Sequence, residues 1–318
     1  MTPRSSAKLP PAAMTLPTQA HGKKVKIEDA NAVLRGFEEQ GYIADRGLAT
    51  AVYLLTKLGM PLLLEGQTGL GKTEVAKVLS RFLEAPLIRL QCYEGLDVNS
   101  AVYEWNYQKQ LLAIKLQEGT NRTVEEKEKF VFGPDFLLER PLLQAVRAEN
   151  ASAVLLIDEV DRADEAFEAF LLELLSDFQI SIPELGTIRA KHPPLVVLTS
   201  NRSRELSEAL RRRCLYHWID YPSLEKEMRI VAARLPGIEE ALSRQVVGFV
   251  QALRGLNLSR SPGVAETLDW ARSLVALDKH ALDVSAIEDT LGCLSKSLED
   301  TTRIRDAGVE KILAQMNS

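Results

Sequence analysis

The chain has 318 residues, of which 46% are hydrophobic and 26% charged, and its formal net charge is −5. These values are typical of a soluble globular protein with a sizeable core. The acidic balance argues against a general nucleic-acid binder, because such proteins carry a clustered basic excess. No apolar run approaches the roughly 18 residues of a membrane span, and no secretory signal is present, so we expect a cytoplasmic location. The three cysteines, far apart in sequence, predict neither a disulfide framework nor a metal site.

The first part of the chain divides into a tail and a helical segment. Residues 1–25 are rich in Pro, Ala, Ser and Thr, which predicts a disordered tail, and either Met1 or Met14 could be the start. A helical pattern begins at about Ile27. Apolar residues at helical spacing over 41–59 predict one half-buried helix that ends at Gly59.

Five short apolar runs follow, separated by helical segments, and this alternation predicts buried parallel strands. After Pro222 the pattern changes to amphipathic helices. We therefore predict an α/β fold, with an αβα domain over 26–222 that contains a five-stranded parallel sheet, and a small all-helical domain over 223–318. The runs are PLLLEG (61–66), LIRLQC (87–92), AVLLIDE (153–159), LVVLTSN (195–201) and YHWIDY (216–221).

The segment 66–73 reads G-x-x-x-x-G-K-T and lies directly after a predicted strand and before a predicted helix. Glycines at these positions let backbone N–H groups turn toward phosphate oxygens, the lysine reaches the β- and γ-phosphates, and the threonine hydroxyl binds Mg²⁺. The pattern predicts a site for ATP and Mg²⁺. We assign to nucleotide binding Gly66, Gln67, Thr68, Gly69, Leu70, Gly71, Lys72 and Thr73, together with Ile43 in the preceding segment.

Two acidic residues end the third predicted strand, AVLLIDE (153–159), and their positions indicate ATP hydrolysis. Asp158 is predicted to hold Mg²⁺, and the adjacent Glu159 to orient or deprotonate the attacking water. We interpret Asp161 and Asp164 as solvated or capping residues. Asn201, at the end of the following strand, either holds the attacking water or touches the γ-phosphate, or it simply forms a turn.

Together these motifs resemble the AAA+ ATPases over roughly residues 27–318. Within them, LLLEGQTGLGKTEVAK, LLIDEVDRAD and EALRRRCLYHWIDYP are similar to the MoxR family. The phrases LIRLQCYEGLD, YEWNYQKQLL, FLLELLSDFQISIPELGTIRA and PGVAETLDWA resemble most closely the branch accessory to carbon monoxide dehydrogenase, the CoxD type. The resemblance implies a ring, usually a hexamer, that works with a von Willebrand A-domain partner on a metalloenzyme client.

The resemblance also gives a role to an arginine cluster in ALRRRCL (209–215). The family places an arginine finger before the last strand, where it enters the neighbouring subunit's ATP site, and the matching residue is Arg213, with Arg212 beside it. A solvated basic turn is the alternative. One departure is that related proteins have a sensor arginine where this chain has Gly263, so Arg260 or Arg272 would have to substitute.

Two additions match the places where AAA+ proteins with a helix-2 insert carry their extra elements. One is the insert itself, about 95–135, with Tyr103, Trp105 and Tyr107 at alternating positions, and the other is a predicted β-hairpin over 180–194. These elements are expected to meet the client. The aromatic residues either contact the client or pack on one face of a short strand.

Three classes of function remain open from the sequence. The first is a ring ATPase that remodels a client during maturation of a molybdenum enzyme such as carbon monoxide dehydrogenase, or an activase of the CbbQ or NorQ type for another client. The second is a nucleic-acid motor or clamp loader of the same superfamily, although no nucleic-acid partner is expected. The third is a P-loop kinase or GTPase, and the N-K-x-D motif that a GTPase needs is not in the sequence.

Overall fold

A computed structural model describes residues 27–117 and 123–316, so the predicted tail and part of the insert lie outside the described residues. None of the described helices is long and apolar enough to cross a membrane. The strands are β1 Leu62–Gly66, β2 Leu87–Gln91, β3 Tyr103–Trp105, β4 Leu137–Glu139, β5 Val154–Asp158, β6 Gln179–Ile182, β7 Gly186–Arg189, β8 Leu195–Ser200 and β9 Leu215–Ile219.

Most of the remaining described chain is helical, with short 3-10 turns at Pro134–Phe136 and Val160–Arg162. The helices are α1 Ala30–Glu39, α2 Arg46–Leu58, α3 Lys72–Phe82, α4 Val98–Val102, α5 Tyr107–Leu116, α6 Val124–Val131, α7 Pro141–Val146, α8 Glu165–Asp177, α9 Glu208–Arg213, α10 Leu224–Arg234, α11 Glu240–Arg254, α12 Val264–Ala276, α13 Val284–Leu294, α14 Leu298–Ala307 and α15 Val309–Met316.

The five predicted strands form one parallel sheet in the order β2-β5-β8-β1-β9, which confirms the predicted fold class. Their side chains alternate between two buried layers. Leu62 and Leu64 of β1 pack with α1, α2 and α3, while Leu63 packs on the opposite face with α7 and α8. Since both faces are covered, β1 and β5 are buried along their whole length.

A third apolar cluster lies in the C-terminal helices, where α11 to α15 pack around Trp270 and Phe249, both fully buried. The two rings are 5.4 Å apart between centroids. The indole N–H of Trp270 donates to the Thr290 hydroxyl at 2.7 Å, so its one polar group is satisfied. The helical region therefore has a core of its own.

The helix expected over 41–59 is shorter than the pattern indicated. The chain turns at Gly41, which has φ +72°, and α2 begins only at Arg46 because the Asp45 carboxylate caps it by accepting the Leu48 N–H at 2.8 Å. Gly59 ends the helix in a left-handed conformation, as predicted. Ile43 consequently lies in a loop and not on a helix.

Trp105 packs in the core, so the packing interpretation holds for this one of the three alternating aromatics. It lies on β3, which pairs with β4, and it is 7% exposed. Its ring makes edge contacts with the rings of Tyr103 and Phe132, with ring centroids 6.0 and 5.4 Å apart. Trp105 is therefore unavailable to a client, whereas Tyr107 at the start of α5 is 64% exposed.

We expect Trp105→Ala to lower the free energy of unfolding by about 3–5 kcal/mol, because the change opens a large cavity in a packed aromatic group. Tyr107→Ala is the matched control and is expected to change it by less than about 0.5 kcal/mol. Chemical denaturation of the two variants measures the difference. Equal stability of the two would contradict the packing of Trp105.

Candidate functional site

The loop between β1 and α3 has the backbone that phosphate binding requires. Gly66 has φ +156°, and a Cβ there would lie 2.3 Å from the Ile219 carbonyl oxygen, so no other residue fits. Gly71, at φ +84°, is the N-cap of α3 and offers no side-chain acceptor to the helix. The first residues of α3 line a cavity, and their amides form the positive end of the helix dipole.

Lys72 is buried at the start of α3 and is held by the loop itself. Its ammonium donates to the carbonyls of Gly66 and Gln67 at 2.8 and 2.7 Å. Desolvation lowers the pKa of Lys72, and the nearby carboxylates of Asp161, Asp158 and Glu159 oppose this shift. The cation thus lies between the loop and a cluster of acids.

Asp158 is at the centre of a dense hydrogen-bond network at the end of β5. Its Oδ1 accepts the hydroxyls of Thr73 and Thr199 at 2.9 and 2.6 Å, and its Oδ2 accepts Nε and Nη2 of Arg89 at 3.1 and 2.6 Å. A buried carboxylate beside a threonine hydroxyl is a hard oxygen donor set of the kind that Mg²⁺ prefers. The residues present therefore fit the metal.

Glu159 follows in a left-handed conformation, with φ +55°. Its backbone N–H donates to the Thr199 hydroxyl at 2.9 Å, and its Oε1 lies 3.4 Å from Nδ2 of Asn201. The Glu159 side chain is 32% exposed, and both residues line the cavity. β8 lies between β5 and β1 in the sheet, which is why Asn201 is placed beside both Glu159 and the phosphate loop.

The cavity has a volume of about 420 Å³ and a lining that is partly polar and partly apolar. Its polar lining residues include Thr73, Asp158, Glu159 and Asn201, and its apolar ones include Ile43, Ile219 and Leu268. Charged groups beside a helix N-terminus fit phosphates, and apolar side chains fit a purine base. Lys226, Arg234 and Arg272 add positive charge to the lining.

Most residues assigned to the nucleotide from the sequence lie around this cavity. Its lining includes every residue from Thr68 to Thr73, together with Ile43. Gly66 and Gln67 are not in the lining, and they act through the carbonyls that bind Lys72. Arg212 and Arg213 do not line it either.

The two arginines lie at the end of α9 with other partners. Arg212 pairs with Glu208 one turn earlier. The Arg213 side chain is exposed, and its Nε donates to the Ser176 hydroxyl at the end of α8 at 2.8 Å.

The C-terminal helices meet the phosphate loop through the start of α12. The Ala265 N–H donates to the Gly69 carbonyl at 3.0 Å. A Cβ on Gly263 would lie 2.9 Å from the Thr68 carbonyl oxygen, so there is no room for an arginine at this position. Of the two substitutes considered, Arg272 lines the cavity and Arg260 does not.

Sequence reasoning missed three residues of this site. The interpretation of Asp161 as a solvated or capping residue is wrong, because Asp161 is 2% exposed and accepts hydrogen bonds from the loop after β8. Asp164 does cap, since it accepts the Phe167 N–H at the start of α8. Arg89 and Thr199 were not considered. The available signal was a polar residue within a largely apolar run, Arg89 at the centre of β2 and Thr199 near the carboxyl end of β8.

Comparison with known proteins identifies a domain in this part of the chain. Residues 61–214 match the model of the AAA domain of the dynein-related subfamily. This stretch contains the phosphate loop, Asp158, Glu159 and Asn201, and it ends just after Arg213.

Two relatives match a larger share of the chain than the domain model does. This chain is 28% identical over 250 residues to the denitrification regulatory protein NirQ of Stutzerimonas stutzeri, and the match covers 76% of this chain and 80% of that protein. It is 26% identical over 218 residues to NirQ of Pseudomonas aeruginosa, covering 66% and 73%. Among solved structures, the Thermotoga maritima RuvB Holliday junction branch migration motor aligns over 89% of this chain and 81% of its own, with 17% identity and a TM-score of 0.45.

Proposed function

We propose that this chain, whose residues 61–214 match the AAA domain of the dynein-related subfamily, is an AAA+ ATP hydrolase of the MoxR type that forms a ring and remodels a client protein. The observation that carries the proposal is the convergence of Lys72, Asp158, Glu159 and Asn201 on one cavity. The relatives named NirQ support the MoxR-like type.

The roles of the residues follow from their positions. The amides from Gly69 to Thr73 and the Lys72 ammonium bind the phosphates of ATP, since these residues line the cavity and carry the positive charge of a helix N-terminus and of an ammonium. Glu159 accepts a proton from the attacking water, because its carboxylate is partly exposed and lies beyond Asp158. Asn201 orients Glu159 or the same water through its amide.

The Thr73 hydroxyl and the Asp158 carboxylate would hold Mg²⁺, which when bound neutralises charge on the β- and γ-phosphates. Thr199 keeps the Asp158 carboxylate in place through its hydroxyl, and the same hydroxyl accepts the Glu159 N–H. One side chain therefore sets the relative position of the metal-binding acid and the proposed base.

Arg213 is proposed as the finger that completes a neighbouring subunit's site. It is exposed, and it lies outside the lining of its own cavity, so a role in hydrolysis requires a second copy of the chain. A guanidinium at the departing γ-phosphate stabilises the charge that develops there. A hexameric ring is the assembly that the MoxR resemblance implies.

The helical region after Pro222 is proposed to act as a lid over the nucleotide. It contacts the phosphate loop through the Ala265–Gly69 hydrogen bond, and Arg272 reaches the cavity from the same helix. Since Gly263 cannot be an arginine, we propose that the main-chain contact and Arg272 together link the nucleotide to the position of the lid.

The proposed client is a metalloenzyme in the course of cofactor insertion, with a von Willebrand A-domain protein as partner. Support comes from the phrases that resemble the CoxD-type branch. The relatives are denitrification regulatory proteins, NirQ, so an activase for a different client is the second candidate.

The experiment is to co-express a carbon monoxide dehydrogenase and its A-domain partner with this chain or its Glu159→Gln variant. We expect metal content and activity per milligram of dehydrogenase to rise only with the parent chain. If all samples match a culture that lacks the chain, this client is wrong. A parallel ATPase assay with added DNA is expected to show no stimulation, and DNA-dependent turnover would favour the nucleic-acid motor.

A further inference from the structure

The loop 201–207 connects Asn201 to α9, which ends at the two arginines, and buried carboxylates anchor it at both ends. At its first end, Asp161 accepts the Asn201 N–H at 3.2 Å with Oδ1, and the Ser203 N–H and hydroxyl at 2.8 and 2.7 Å with Oδ2. At its second end, Glu168 of α8 accepts the Ser207 N–H at 2.8 Å and pairs with Arg204. Both carboxylates are at most 2% exposed.

The first anchor holds a strained backbone. Arg202, between the two residues that donate to Asp161, has φ +57°, a region that side chains other than glycine rarely adopt. Hydrogen bonds to an ionised acceptor are shorter and stronger than neutral ones. Since Asp161 bonds to the residues on both sides of Arg202, the turn cannot relax without breaking a charge-assisted bond.

This turn decides where the Asn201 amide lies. Asn201 leaves the end of β8, and its Nδ2 lies 3.4 Å from Oε1 of Glu159. Asp161 itself lies two residues beyond Glu159, in the 3-10 turn Val160–Arg162. One carboxylate therefore ties the segment that carries Glu159 to the segment that carries Asn201.

We propose that Asp161 is a positioning residue for ATP hydrolysis, which acts by holding Asn201 against Glu159. This inference rests on the proposed function, in which Asn201 and Glu159 act on the attacking water. Asp161 touches neither nucleotide nor water in this scheme, so its removal affects turnover only through Asn201.

A second route of action exists and has a different signature. Burial lowers the pKa of Lys72, and the charge of Asp161 opposes this shift by favouring the ammonium form, which Asp161→Asn would no longer do. An effect by this route changes ATP affinity. An effect through Asn201 changes turnover and leaves affinity unaltered.

The test is a double-mutant cycle with Asp161→Asn, Asn201→Ala and the double variant. Asp161→Asn keeps the shape but replaces an acceptor with a donor, so at least one of the bonds to the loop is lost. We expect its kcat to fall about tenfold or more, with the Kd for ATP within about twofold. In the Asn201→Ala background the same change is expected to alter kcat by less than about twofold.

Asp164→Asn is the matched control, three residues further on. It caps α8, is exposed and, among the described residues, makes no side-chain hydrogen bond or ion pair with the loop, so kcat is expected to stay within about twofold of the parent. Ser203→Ala is a milder variant in case Asp161→Asn does not fold. It removes only the hydroxyl bonds to Asp161, and its smaller loss of kcat is also expected to vanish in the Asn201→Ala background.

The failures are distinguishable. If Asn201→Ala has the parent kcat, the Asn201 role in the proposed function is wrong, and this inference is overturned with it. If Asn201→Ala lowers kcat, but Asp161→Asn lowers kcat by the same factor in the Asn201→Ala background as in the parent, only the inference is overturned. A Kd changed by more than about twofold in either direction, with unchanged kcat, in Asp161→Asn overturns it in favour of the route through Lys72.

Discussion

Lys72→Ala is expected to abolish ATP binding, whereas Glu159→Gln is expected to retain ATP and stop its hydrolysis. Lys72 is 6% exposed and its ammonium lies beside the phosphate loop, so its loss removes charge that binds phosphate in the ground state. Glutamine at 159 keeps the shape and the contact with Asn201 but cannot accept a proton. General-base loss of this kind costs about 10²–10⁴ in rate.

Isothermal titration with ATP and a phosphate-release assay measure the two effects separately. Glu165→Gln is the matched control for Glu159→Gln, because it changes an exposed carboxylate in the first turn of α8 and is expected to keep the parent rate. Parent-rate hydrolysis by Glu159→Gln would show that another group is the base. Tight ATP binding by Lys72→Ala would contradict the assignment of the phosphate loop.

Arg213→Ala is expected to keep the fold and near-normal ATP affinity while turnover falls by about 10³–10⁵. This loss corresponds to roughly 4–7 kcal/mol of barrier. The reason is that a finger contact strengthens only as the γ-phosphate departs. In the folded chain Arg213 loses only a hydrogen bond to Ser176 on the surface, so stability changes little. Arg212→Ala tests the neighbouring arginine, which pairs with Glu208.

If Arg213 acts across the subunit interface, two inactive variants should complement each other in mixed assemblies. Mixing the Arg213→Ala and Lys72→Ala proteins is expected to restore part of the activity, because some interfaces then combine an intact finger with an intact phosphate loop. Subunit-exchange fluorescence verifies that mixed assemblies form. Specific activity is also expected to rise with protein concentration, and ATP favours assembly by mass action. A monomer with full activity that is unchanged by substitution of either arginine would contradict both the arginine-finger role and the ring.

Several features were accessible from the sequence because each depends on residues close together in the chain. The phosphate loop is eight consecutive positions that run from the end of β1 into α3, and its three glycines, Gly66, Gly69 and Gly71, all have positive φ angles. The five apolar runs became the five strands of the parallel sheet. Parallel strands bring their carboxyl ends to one edge, so Asp158 and Asn201 were expected near the loop without any contact being known.

The contacts that only the tertiary structure reveals join residues that are far apart in sequence. Arg89 reaches Asp158 across 69 positions, Thr199 reaches it across 41, and Asp161 reaches Asn201 across 40. A local pattern holds no information on such pairs, and for this reason Asp161 looked like one more solvated acid. The same holds for Gly263, whose lack of a side chain is required by a phosphate loop nearly two hundred residues earlier. Residue types and local spacing determine which chemistry is available, and the packing of distant segments determines which of those groups meet.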